Sequence, residues 1–73
     1  MDVYSQFRYQ YDLDKLKMER IRQGMSMREM ADKSGLDIKT VMRVEQKQVT
    51  PRPQTVGKMV RVLGMELEDF ILG

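Results

Sequence analysis

Seven cations, Lys33, Lys39, Arg43, Lys47, Arg52, Lys58 and Arg61, lie between residues 33 and 61, against only Asp37 and Glu45. The chemistry such a segment offers is electrostatic: attraction of a polyanion, with counterions released as each charge is met. A solvated, lysine-rich face is the other reading, and charge alone does not choose between the two. The flanks are different. Residues 1–32 balance six basic against six acidic side chains, and the last twelve residues hold Glu66, Glu68 and Asp69 without a cation.

Covalent and acid–base chemistry is poorly provided for. The chain has no cysteine and no histidine, which removes thiolates, disulfides, the commonest general base and the commonest zinc ligand. The acids are scattered rather than clustered in a loop, and no glycine-rich phosphate loop is present. With 73 residues the interior is too small to favour a pocket of convergent polar groups. The expectation is therefore no enzyme, no cofactor, no metal and no evident small-molecule ligand. Apolar stretches are two or three residues long, far short of a membrane span. Met1–Asp2 leads into polar and aromatic residues rather than the apolar run of a signal peptide. A single cytoplasmic domain is expected.

Capping chemistry sets out the elements that must position the cations. Asp12 can cap a first helix, with Asp14 in its first turn and Gly24 just beyond its end. Leu13, Leu16 and Arg20 share one face by three-and-four spacing, whereas Met18 and Ile21 fall on another side. Ser26 and Glu29 fit a capping box for a second helix from Met27 to about Lys33, burying Met30 and Ala31. Gly35 suits a tight left-handed turn, and Asp37 would cap a third helix through about Gln46 with Val41 and Val44 inward. After a polar loop, Pro53 opens a fourth helix whose stripe is Val56, Met59, Val60 and Leu63, stopped by Gly64. Glu66 to Leu72 reads as a short fifth helix facing in through Leu67, Phe70 and Ile71. The fold class expected is an all-α five-helix bundle preceded by an extended arm or short β-strand, divided as residues 1–11 and 12–73.

The second and third helices with their glycine turn form a helix-turn-helix pattern, which alone is weak because many helical domains contain one. The agreement extends further. Leu16 and Arg20, Gly24-Met25-Ser26, Glu29-Met30-Ala31, Gly35-Leu36, Val41 and Val44-Glu45, Pro51 and Leu63-Gly64 follow one another without a gap. In these residues the chain from Leu13 to Ile71 resembles the phage Cro/repressor helix-turn-helix family, the XRE-like regulators. That resemblance implies a transcriptional regulator, such as a repressor, that binds double-stranded DNA sequence-specifically. The third helix would lie in the major groove.

On the same resemblance, Ile38, Lys39, Thr40, Met42 and Arg43 would meet base edges. Arg43 and Lys39 could donate to guanine, Ile38 could touch a thymine methyl, and Thr40 could bond a base or a phosphate. Phosphate contacts would come from Ser26, Met27 and Arg28 and from Gln46, Lys47, Gln48, Thr50 and Arg52. Arg20 and Glu45 would form an inward ion pair. Two positions depart from the family: Met27 stands where glutamine is frequent, and Asp37 where a serine or threonine cap is usual. The other function class is a protein-interaction module of the same fold, such as an antitoxin, an excisionase-like accessory factor or an inhibitor of another regulator. Such a module should have lost the positive charge of the recognition face. The sequence offers no separate effector-binding segment, so control is expected through occupancy, oligomerisation or a partner.

The arm lies outside the family pattern yet holds four of the five aromatic rings, Tyr4, Phe7, Tyr9 and Tyr11. Val3, Phe7, Tyr9 and Tyr11 alternate onto one side of an extended chain, although Tyr4, Phe7 and Tyr11 also fit helical spacing. Composition favours a strand, and a lone strand needs a partner. The expected partner is the same arm of a second copy, giving a homodimer on a two-fold operator. Met18 and Ile21 are a candidate floor for the rings, and Phe70 with its neighbours is the alternative contact.

Overall fold

The structure, a computed structural model, describes residues 10–72. Along the chain come β1 (Gln10–Tyr11), α1 (Leu13–Arg22), α2 (Met27–Ser34), α3 (Ile38–Glu45), α4 (Pro53–Val62), a 3-10 turn (Leu67–Phe70) and β2 (Ile71–Leu72). Val3, Tyr4, Phe7 and Tyr9, four of the side chains expected to mediate dimerisation, lie outside the described residues.

Two of the helices begin where a side chain offers an acceptor for their orphan amides. At α1, Asp12 Oδ1 accepts from Lys15 N at 3.0 Å. At α2 the capping box is complete: Ser26 Oγ accepts from Glu29 N at 3.0 Å, and Glu29 Oε1 accepts from Ser26 N at 3.3 Å. At α3 the expectation fails in part. Asp37 stands at the cap position, but its carboxylate makes no capping hydrogen bond. Its carbonyl instead accepts from Thr40 N and Val41 N at 3.0 and 3.2 Å. Pro53 occupies the first turn of α4, where its missing N–H is no loss. Gly35 closes α2 at φ +76°, a conformation that costs an L-residue strain and glycine none.

The four helices enclose one core of Leu16, Met25, Met30, Ala31, Val41, Val44, Val56, Met59, Val60, Leu63 and Phe70. Three methionines fill gaps between branched valines, a use suited to an unbranched, adaptable side chain. Among the described residues, no helix is long and apolar enough to cross a membrane.

The expected fifth helix is not formed. After Glu66 the chain makes only a four-residue 3-10 turn, and Ile71 is extended at φ −84°, ψ 129°. Ile71 and Leu72 then pair antiparallel with Tyr11 and Gln10, in the register Tyr11↔Ile71 and Gln10↔Leu72. Asp12 N donates to Phe70 O at 2.6 Å and joins this ribbon to the start of α1. The pairing satisfies backbone groups that a one-turn helix would leave open at both ends, and it lets Phe70 enter the core completely. The described residues form four α-helices and a two-stranded ribbon. Part of the arm is thus a strand, but Gln10–Tyr11 pairs within its own chain rather than with a second copy.

Candidate nucleic-acid interface

α3 is held by its inner face. Val41 and Val44 are fully buried, and Glu45, 5% exposed, meets Arg20 of α1. Arg20 Nε and Nη2 donate to Glu45 Oε2 and Oε1 at 2.6 and 2.8 Å, and Nη1 donates to the carbonyl of Met25 at 2.6 Å. A planar guanidinium is matched to a carboxylate by two parallel bonds, which fixes orientation as well as distance. This fork clamps the last turn of α3 to α1 and to the turn ahead of α2.

With that face locked, Lys39, Met42 and Arg43 stand exposed on the opposite side of α3. Thr40 is half-buried. Ile38, assigned to a thymine methyl, is also half-buried and packs against the core cluster. The cause is spacing, since Ile38 lies three residues before Val41 and seven before Glu45, on the buried stripe.

The flanking residues divide in the same way. Ser26 and Arg28 are exposed at the start of α2, whereas Met27 is half-buried against the core. Met27 falls three and four residues before Met30 and Ala31, so its thioether is drawn inward. In the loop after α3, Gln46, Lys47, Gln48, Thr50 and Arg52 are all exposed. The loop is organised. Lys47 takes a left-handed φ of 59°, Gln48 N donates to Arg43 O at 2.9 Å, and Gln48 Nε2 donates to Gln46 Oε1 at 2.8 Å.

One participant had no signal in the sequence. Asp14, in the first turn of α1, accepts from Lys47 Nζ at 2.7 Å. No periodicity connects residues 33 apart, so only the fold reveals that a carboxylate sits beside this loop.

The fold also splits the basic segment. Lys39, Arg43, Lys47 and Arg52 belong to α3 and the loop after it, whereas Lys33, Lys58 and Arg61 gather at a separate cleft between α2 and α4. Of the side chains considered for self-association, Met18 and Ile21 are exposed on α1, at 54% and 48%. Tyr11 is half-buried against the core in β1. Phe70 is wholly enclosed, so it offers no surface to a second copy.

A model of the helix-turn-helix family matches residues 16–70. The HTH-type transcriptional regulator PuuR of Escherichia coli (strain K12) is 37% identical over 51 residues, covering 70% of this chain and 28% of its own length. The protein of the same name from Shigella flexneri matches equally, so the chain spans 28% of the length of these curated relatives. Among solved structures, the SinR protein/SinI protein complex superposes with a TM-score of 0.74 at 25% identity, covering 80% of this chain and 57% of that one. The family match encloses the Arg20–Glu45 clamp, the glycine turn and all of α3. The chain belongs to the Cro/C1-type, XRE-like helix-turn-helix family.

Proposed function

We propose that this chain is the DNA-binding module of a transcriptional regulator, reading double-stranded DNA in the major groove with α3. The observation that carries the reading is the division of α3: one face is locked by Val41, Val44 and the Arg20–Glu45 fork, and the other presents Lys39, Met42 and Arg43 to solvent. A rigidly held helix with the guanidinium fork of Arg43 and the ammonium of Lys39 on its free face suits donation to guanine, with Arg43 the first candidate for a bidentate pair. Ser26, Arg28, Gln46, Lys47, Gln48, Thr50 and Arg52 border α3 and supply phosphate donors that fix register without reading sequence.

The working unit is a homodimer on a two-fold site, with half-sites about 34 Å apart. A single module meets too few base pairs for regulation, so pairing raises both affinity and selectivity. The aromatic arm is the proposed dimerisation device, through Val3, Tyr4, Phe7 and Tyr9 over the exposed Met18 and Ile21. The role would be carried out in the cytoplasm. A second reading, as a protein-interaction module, draws on the similar SinR structure being a complex with SinI. The charged free face of α3 favours the DNA reading.

The test is fluorescence anisotropy on duplexes selected from a random pool. Arg43→Ala should weaken the selected duplex by roughly ten- to a hundredfold while leaving random duplex nearly unchanged. Equal loss on both duplexes would reassign Arg43 to a phosphate. An absence of any salt-sensitive binding by the wild type would refute the DNA reading altogether.

A further inference from the structure

We propose that the cleft between α2 and α4 docks the acidic 3-10 turn of a second copy of this chain. The cleft is shallow, about 330 Å³, and is lined by Lys33, Ser34, Lys58, Arg61 and Val62. Among the described residues, three cations line it with no acid, and neither α3 nor the loop after it contributes a residue. The charge read in the sequence as one basic segment is therefore two surfaces, and the proposed DNA contacts account for only one of them.

The complement lies on the same chain. Glu66, Glu68 and Asp69 are exposed within four residues. The turn that carries them is held in shape, since Asp69 Oδ2 accepts from Glu66 N at 3.0 Å and Lys15 Nζ donates to the carbonyl of Asp69 at 2.7 Å. Among the described residues, none of Lys33, Lys58, Arg61, Glu66, Glu68 and Asp69 forms an ion pair within the chain. Three cations lining one cleft and three exposed acids on one short turn, none ion-paired within the described residues, are surfaces of opposite charge that a second copy can match.

Position permits a two-fold arrangement. Arg61 borders the basic cleft and also the adjoining groove, which contains Glu66 and Leu67. The two patches are side by side, so a two-fold axis between them lets each copy present its acids to the other's cations. Such a contact is closed and satisfies both copies at once. Exposed ion pairs contribute little singly and are screened by salt, so the contact forms at high local concentration and low ionic strength. Copies held close together on one nucleic acid meet the first condition.

Charge exchange tests the proposal in sedimentation experiments on the full chain without DNA, so the outcome does not depend on the DNA reading. Lys58→Glu/Arg61→Glu and, separately, Glu66→Lys/Glu68→Lys should each weaken low-salt association beyond the arm-paired dimer by at least roughly tenfold. An equimolar mixture of the two variants should recover it. Circular dichroism on each variant establishes that the fold is intact, and Glu68→Lys alone serves if loss of Glu66 disturbs the turn. Unchanged association of either folded variant, or no recovery on mixing, would overturn the proposal. So would a large loss of binding to an isolated DNA site by Lys58→Glu/Arg61→Glu with association intact, which would make the cleft a nucleic-acid surface.

Discussion

Lys47 and Asp14 are joined at 2.7 Å across the fold, so a lysine assigned to DNA phosphate already holds a carboxylate. Both side chains are largely exposed, and an exposed pair contributes only about 0.2–1 kcal/mol. Phosphate can therefore displace Asp14, at a small cost. Asp14→Asn should raise DNA affinity by roughly 1.4- to 5-fold, the same energy expressed as a ratio. The gain should shrink as salt rises, because salt screens Asp14 in the wild type too. Anisotropy titrations read this directly. In a Lys47→Ala background the same change should give almost no gain; an undiminished gain there would mean that Asp14 acts on the DNA and not through Lys47.

The Arg20–Glu45 fork carries a different energy because both groups are buried. Removing one partner strands the other, so Arg20→Ala or Glu45→Ala should each destabilise the fold by about 3–5 kcal/mol. Replacing both, as Arg20→Met/Glu45→Leu, should recover most of that loss, since a buried pair contributes little net stability over apolar residues of similar size. Urea unfolding of the three variants checks both statements. A double variant as unstable as the singles would show that the clamp provides stability that apolar packing cannot replace.

Asp37 presents a carboxylate at the start of α3 without using it as a cap. Asp37→Asn should therefore leave unfolding free energy within about 0.5 kcal/mol of wild type. DNA affinity should rise a few-fold, roughly, as one repulsive charge leaves the phosphate field. If affinity for the selected duplex falls instead, the carboxylate accepts a hydrogen bond from a base, with the cytosine amine the first candidate.

Gly35 takes a left-handed φ of 76°, and a Cβ built on it meets nothing within 4 Å. Gly35→Ala should cost about 1–2 kcal/mol, from backbone strain alone. Gly35→Asn should cost less, because asparagine tolerates the left-handed region. Thermal melting of the pair separates the two. Equal costs would point to crowding in the turn rather than to backbone conformation.

Most of the helical frame was legible because its signals are local. Ser26 with Glu29, Asp12 ahead of Leu13, and Pro53 each announce a helix start within four residues, and the inward stripe of α4 follows from spacing. The end of the chain was not legible for the converse reason. Leu67, Phe70 and Ile71 satisfy helical spacing, and only the distant Gln10–Tyr11 offers the backbone partners that make Ile71–Leu72 a strand. The candidate interface shows the same division. Lys39, Met42 and Arg43 could be placed outward by contrast with Val41 and Val44. Ile38 and Met27, assigned by their family positions, are half-buried because the three-residue spacing draws them onto the core.

The ribbon has a mechanical consequence. Because Gln10 faces Leu72, the chain enters and leaves the described fold at one end of the same pair of strands. A pull on those two points loads the strand pairing before it loads the helices, and opens it like a zipper, one bond at a time. The ribbon would act as a fuse: it gives way at low force and leaves α1 to α4 folded until the Asp12–Phe70 bond is also drawn apart.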